Sequence, residues 1–251
     1  MRINFYALRA IYFHEMDRFR RTLIQSLLSP VLSTSLYFIV FGSVIGDYVQ
    51  KIDGISYGSY IVPGLLMLTL LTQSISNTSF GIFFPKFNGT IYEILAAPIS
   101  TVEIVIAYVG AGATKTLIVA AVIFCTSLFF AEVNVKFPLL MIFLLILVAF
   151  TFALFGFLIG LLSKNFEQMS IIPTPMVFLG GSLYSLDMLP SFWQTVTYFN
   201  PVVYLINGLR FAFYGVSDFD IWISISTMFI FLIVCVTLVS IILKKGYNIK
   251  N

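Results

Sequence analysis

Six long apolar runs that share one charge constrain this chain more than any other feature. They cover residues 23–46, 58–84, 104–130, 138–162, 168–186 and 221–243, which together make 145 of the 251 residues. Within them Lys115 is the only Asp, Glu, Lys, Arg or His. A helix needs roughly 20 residues to cross the hydrocarbon core of a bilayer, and these runs are 19 to 27 residues long. They are too long and too continuous for the alternating strands of a membrane barrel. Lipid offers no hydrogen bonds to a backbone, so runs like these are predicted to be helices that satisfy their own amides and carbonyls. The fold class predicted is an all-α membrane protein with six transmembrane helices. Composition agrees. Hydrophobic residues make up 59% of the chain and charged residues 10%, against about 25% charged in a soluble domain, and so apolar a chain cannot stay disordered in water.

The positive charges set the predicted orientation. On one face lie Arg2, Arg9, Arg18, Arg20, Arg21, Lys86, Lys164, Lys244, Lys245 and Lys250, and on the other Lys51, Lys136 and Arg210. The richer face is cytoplasmic by the positive-inside rule, which puts both termini in the cytoplasm. The net charge of +3 hides this asymmetry and implies no nucleic acid. The chain is expected to divide into a cytoplasmic interfacial helix (1–22), a six-helix domain (23–243) and a cytoplasmic tail (244–251).

Enzyme chemistry finds no support. Gly54-Ile55-Ser56-Tyr57-Gly58 matches a nucleophile elbow, but His14 is the only histidine and lies across the membrane from it, so no Ser/His pair can assemble. The stretch from Gly110 to Thr116 resembles a phosphate loop, yet Thr114 stands where a Gly must precede Lys115, and the stretch sits inside a span. Cys125 and Cys235 lie within spans and read as packing residues, not metal ligands or a disulfide. Proton-coupled carriers and ion channels keep carboxylates, histidines or filter carbonyls at membrane depth. The spans hold no Asp, Glu or His, so energy for transport would have to come from outside the bundle.

The connecting segments carry more. Phe5, Leu8, Tyr12, Met16, Phe19 and Leu23 recur at helical spacing opposite an Arg-rich arc, the pattern of an amphipathic helix on an anionic membrane surface. Thr90 and Glu93 form a possible capping box, repeated by Ser100 and Glu103. With Pro98 disfavouring helix at Ala97, this predicts a short helix displaying Ile91, Ile94 and Leu95 away from the bilayer. Two turns of helix are marginal in water, so the helix is expected to dock on something. Between the last two runs, Pro190 and Pro201 suit first helical turns. Two apolar helices there are expected to dip back into the outer leaflet as re-entrant elements. On the second, Arg210 calls for a carboxylate, Asp187 or Asp218, or else reaches outer water. Mid-membrane Lys115 belongs in the bundle interior or on a seam with a second copy, facing carbonyls or an anionic group. The other reading has it face lipid and reach the inner headgroups.

The order of these parts resembles the ABC-2 type of ABC transporter permease, in particular the small bacterial inner-membrane transport permeases. The likeness covers the whole chain. It is carried by the loop Thr90-Ile91-Tyr92-Glu93-Ile94-Leu95-Ala96-Ala97-Pro98 and by the outer series Leu189-Pro190, Asn200-Pro201 and Gly208-Leu209-Arg210. Between Pro173 and Gly180-Gly181 the chain is about one helical turn shorter than that resemblance implies. The resemblance implies a permease subunit of an ATP-driven exporter, multi-pass in the bacterial inner membrane. Thr90, Ile91, Glu93, Leu95 and Pro98 would belong to a helix that couples to a separate ATPase. Pro190, Asn200, Pro201 and Arg210 would cap the exit. Two ATPases and a second copy of the permease would complete the assembly, with ATP and Mg²⁺ on the ATPase and no cofactor on this chain. A non-transporting membrane scaffold that anchors a cytoplasmic partner is the alternative.

Overall fold

The computed structural model describes residues 4–46, 48, 51–52 and 54–245, with the side chains of all but Ser43 and Lys245. Arg2 and the tail from 246 on, including Lys250, lie outside the described residues. Among the described residues the elements run α1 (Phe5–Arg21), α2 (Leu23–Tyr37, continuing in wider π-helical turns over Phe38–Ile45), β1 (Lys51–Ile52), β2 (Ile55–Ser56), α3 (Tyr57–Phe87), α4 (Ile91–Ala96), α5 (Thr101–Ser127), α6 (Pro138–Leu162), α7 (Gln168–Ile171), α8 (Pro173–Phe178), α9 (Ser191–Tyr198), α10 (Pro201–Tyr214) and α11 (Ile221–Lys245). Among the described residues the only strands are the two-residue antiparallel pair β1–β2.

Among the described residues five helices are long and apolar enough to cross a membrane: Leu23–Gly42, Tyr57–Phe87, Thr101–Ser127, Pro138–Leu162 and Ile221–Lys244. The run at 168–186, expected as the fifth span, is the exception: among the described residues it does not form one long helix. It is broken into α7 and α8, which together hold ten residues. Pro173 and Pro175 supply no amide hydrogen and disfavour helix before them, and Gly181 (φ +72°) turns the chain after α8.

The broken segment nevertheless follows α3 from end to end. Phe166 packs on Phe83 (ring centroids 4.8 Å apart), Phe84 and Phe87 near the C-terminal end of α3. Met169 and Pro173 then share a groove with Ser79, Ser76 and Thr72. Ser182 backbone crosses against Gly64, and the Leu183 carbonyl accepts a 2.9 Å hydrogen bond from the Tyr57 hydroxyl at the start of α3.

Helix α3 is the spine of the bundle, and α6 lies closest to it. The spacing Gly156-x-x-x-Gly160 removes two side chains from one face of α6, where α3 backbone takes their place. A Cβ on Gly156 would sit 2.5 Å from the Ile75 carbonyl oxygen, and one on Gly160 would sit 2.6 Å from that of Ser79. About two turns before Gly156 along α6, the Ala149 carbonyl accepts a 2.9 Å hydrogen bond from the Ser74 hydroxyl. Around this contact the side chains of Leu66, Leu70, Phe83, Phe152 and Phe157 are fully buried. Gly156→Val should therefore force the helices apart, at a cost of about 1–3 kcal/mol as in overpacked cores, and lower the thermal midpoint of the detergent-solubilised protein. Gly58→Ala, where an added Cβ meets nothing within 4 Å, should leave that midpoint unchanged or raised.

Candidate functional site

One end of the bundle gathers α4, the start of α5, the start of α1 and the end of α11. Helix α4 follows the turn Asn88-Gly89, where Gly89 adopts φ +79°, and it stops at Ala96 because Ala97 is extended (φ −70°, ψ 153°) ahead of Pro98. The expected Thr90–Glu93 capping box does not form. Thr90 has helical backbone angles (φ −66°, ψ −13°), whereas a capping residue is extended, and its hydroxyl donates instead to the Pro85 carbonyl at 3.4 Å. The second box does form: the Ser100 hydroxyl accepts the Glu103 amide at 3.3 Å, and Glu103 Oε2 accepts the Ser100 amide at 2.8 Å.

The display of α4 also differs from expectation. Ile91 is 5% exposed and meets a small apolar cavity shared with Ile82, Ile104, Phe157 and Leu161. It is an anchor in the core, while Ile94 is half-buried. What α4 presents outward is Tyr92, Glu93 and Leu95. Beside it, Lys86 Nζ donates to the Leu161 and Ser163 carbonyls at 2.8 and 3.0 Å, tying the ends of α3 and α6 together.

Helix α1 lies lengthwise on the first half of α5. The Asn4 amide donates to Glu103 Oε1 at 2.6 Å, the Tyr12 hydroxyl donates to Thr114 Oγ1 at 3.1 Å, and Glu15 Oε2 pairs with Lys115 Nζ at 2.8 Å. Arg18 binds the same Glu15 oxygen at 2.7 Å from a more exposed position. Glu15 and Lys115 are 3% and 2% exposed. Lys115 thus lies inside the protein, on neither the lipid face nor an open seam, and its partner is a carboxylate from the interfacial helix. The inward stripe of α1 runs through Leu8, Tyr12, Glu15 and Phe19, and Phe5, expected on that stripe, is exposed. Between α1 and the α3–α4 turn a groove of about 520 Å³ is lined by His14, Arg18, Asn88, Thr90 and Glu93.

At the far end, α9 and α10 begin beside Pro190 and at Pro201. The Asn200 side chain caps α10 by accepting the Val202 amide at 3.1 Å and donates to the Met176 carbonyl at 2.6 Å, which ties α10 to α8. Arg210 is 6% exposed, so it does not reach outer water. Its guanidinium donates to the Gly181 carbonyl at 2.6 Å and lies 4.1 Å from the centroid of the Tyr60 ring. Asp218 lines a small cavity together with Arg210 and Tyr60, whereas Asp187 is exposed. The Tyr214 hydroxyl donates to the Ser59 carbonyl at 2.7 Å, and burial pushes its pKa up, which keeps it a donor.

Sequence reading missed Glu15, Tyr60 and the Gly181 carbonyl. Only Glu15 left a signal: an acid inside an otherwise apolar helical stripe, in a chain whose one buried lysine needs an anion. No group of three or more His, Cys, Asp or Glu able to hold a metal occurs among the described residues.

The chain matches the family described as ABC-2 type transporter over residues 6–214. It is 35% identical, over the full length of both chains, to the Inner membrane transport permease YadH of Escherichia coli (strain K12). It is 22% identical to Nodulation protein J of Rhizobium leguminosarum bv. viciae, across 86% of this chain and 85% of that one. To Nodulation protein J of Rhizobium meliloti (strain 1021) it is 24% identical, across 76% and 75%.

Breaking a buried pair by removing one partner costs about 3–5 kcal/mol, while replacing both by apolar residues is often neutral. Glu15→Ala should therefore release α1 and expose Arg18, Arg20 and Arg21 to trypsin in the membrane-bound protein. Glu15→Leu with Lys115→Met should restore resistance to cleavage.

Proposed function

The chain belongs to the ABC-2 type transporter family, and on that premise we propose that it is the permease subunit of an ATP-driven exporter that works with a separate ATPase. ATP and Mg²⁺ are held by that ATPase. The observation that carries this reading is the construction of α4. Six residues of helix do not stand alone in water, yet α4 is pinned by Ile91 into the core shared by α3, α5 and α6 and turns Tyr92, Glu93 and Leu95 outward. A push on α4 is delivered to α3 and α5, which flank it in the chain, and to α6 through Lys86. Glu103 passes it to α1.

The path of the broken segment along α3 supports a sixth crossing of the membrane, with α7 and α8 as its two pieces. Both termini and α4 then share the cytoplasmic side of the bacterial inner membrane, in agreement with the charge asymmetry. Irregular backbone at membrane depth is tolerated where it lines a cavity or is covered by protein. The groove of about 310 Å³ between α3 and α7–α8 is lined by Thr72, Ser76, Ser79, Ser170 and Thr174 among apolar neighbours. We assign it to the substrate pathway, closed on its open side by a second copy of the chain. The apolar helices α9 and α10, held by Asn200 and Arg210, act as outer re-entrant elements above it. Two permeases and two ATPases make the transporter.

Glu93→Ala with Leu95→Asp removes an exposed polar contact and an exposed apolar one without touching Ile91. The double variant should insert normally and lose most co-purification with the partner ABC ATPase co-expressed with it. Undiminished co-purification would return α4 to a plain turn helix and favour a scaffold.

A further inference from the structure

A groove of about 370 Å³ runs between α5, α6 and α11 at the α4 end and shares no lining residue with the α1 groove. Its bore is apolar, formed by Val105, Val109, Phe150, Leu154 and Val236, and its polar lining is confined to Thr101, Ser240 and Lys244 at one end. From Thr101 to Val109 the bore extends about 12 Å at 1.5 Å per residue. All three helices are long and apolar enough to cross a membrane, so the groove opens sideways to the bilayer and its polar mouth lies at the level of the headgroups.

The charge at that mouth is one-sided. Lys244 is exposed and makes no ion pair among the described residues. The nearest carboxylate along α5, Glu103, is 4% exposed and turned away, its two oxygens accepting the amides of Asn4 and Ser100. The mouth also faces the N-terminal end of α5, where the helix dipole favours an anion. A basic mouth on an apolar lateral bore complements one kind of molecule in a bilayer.

We propose that this groove is a binding site for an anionic phospholipid, with one acyl chain in the bore and the phosphate beside Lys244 and Thr101. It is a site separate from the substrate pathway and does not depend on the assignment of α4. Anionic headgroups gain about fivefold over zwitterionic ones from a single basic side chain at the surface, so the site should discriminate by about that factor.

Native mass spectrometry of the delipidated full-length permease tests this by titration with phosphatidylglycerol and with phosphatidylethanolamine in detergent. Wild type should retain one phosphatidylglycerol per chain with about fivefold preference. Lys244→Glu should abolish the preference. Val236→Trp fills the bore from a half-exposed position and should lower retention of both lipids. Excess inorganic phosphate should displace neither. Equal retention of the two lipids by wild type, a preference that survives Lys244→Glu, or retention that survives Val236→Trp would overturn the proposal. Displacement by phosphate would do so too, because it would mean a bare anion site. Binding by monomers but not by dimers would give the groove to a second copy of the chain and equally overturn it.

Discussion

The approach of α6 to α3 at Gly156 and Gly160 sets the position of nearly everything else. With hydrogens in place of side chains at those two points, the helices meet backbone to backbone, and the Ser74 hydroxyl bridges them. Helices gain little from hydrophobic exclusion inside lipid, so van der Waals contact and interhelical hydrogen bonds carry the association. The contact places Phe157 and Leu161 where Ile91 can lodge and puts the end of α6 within reach of Lys86. At the far end, Phe213 and Ala212 carbonyls accept the amides of Lys136 and Phe137 just ahead of α6, which seats α10 against the same pair. Both functional ends are thus referred to one helix contact.

Two buried cations, Lys115 and Arg210, then fix what the packing leaves open. A lysine at the centre of a span costs roughly 2.5–3.5 kcal/mol, and Lys115 is tolerated because Glu15 reaches it from outside the spans. Such a pair adds little net stability, since desolvation offsets the attraction, but it admits only one seating of α1 on α5. Arg210 plays the matching part at the far end. It gathers the Gly181 carbonyl and the Tyr60 ring, so the turn after α8 is held to α3 and α10 together. The segment that prolines and glycines break is in this way held by a cation on a neighbouring helix.

Much of this was legible in the sequence because the strongest signals were local. Apolar runs of spanning length located α3, α5, α6 and α11 to within a few residues, and Ser100 with Glu103 marked the start of α5. The run at 168–186 has spanning apolarity, but Pro173 and Pro175 each remove a backbone hydrogen bond, and they break it into two short helices. Thr90 misled because a capping pattern depends on backbone angles, and the Gly89 turn leaves Thr90 helical. Ile91 and Leu95 look alike in sequence, and only the course of α3 and α6 makes one an anchor and the other a surface contact. The partners of Lys115 and Arg210 lie 100 and 29 residues away. Periodicity does not register such distances, although an acid at position 15 of an inward stripe was a clue.

The central claim is that the broken segment crosses the membrane and so brings the C-terminal end of α11 to the side that holds α1 and α4. Single cysteines at Asn165, ahead of α7, and at Asp187, beyond α8, in a background lacking Cys125 and Cys235, would be labelled with a membrane-impermeant maleimide. The account predicts opposite sidedness: Asp187→Cys reacts in right-side-out membranes, and Asn165→Cys reacts only in inside-out vesicles. Labelling of both positions from the same side would contradict it.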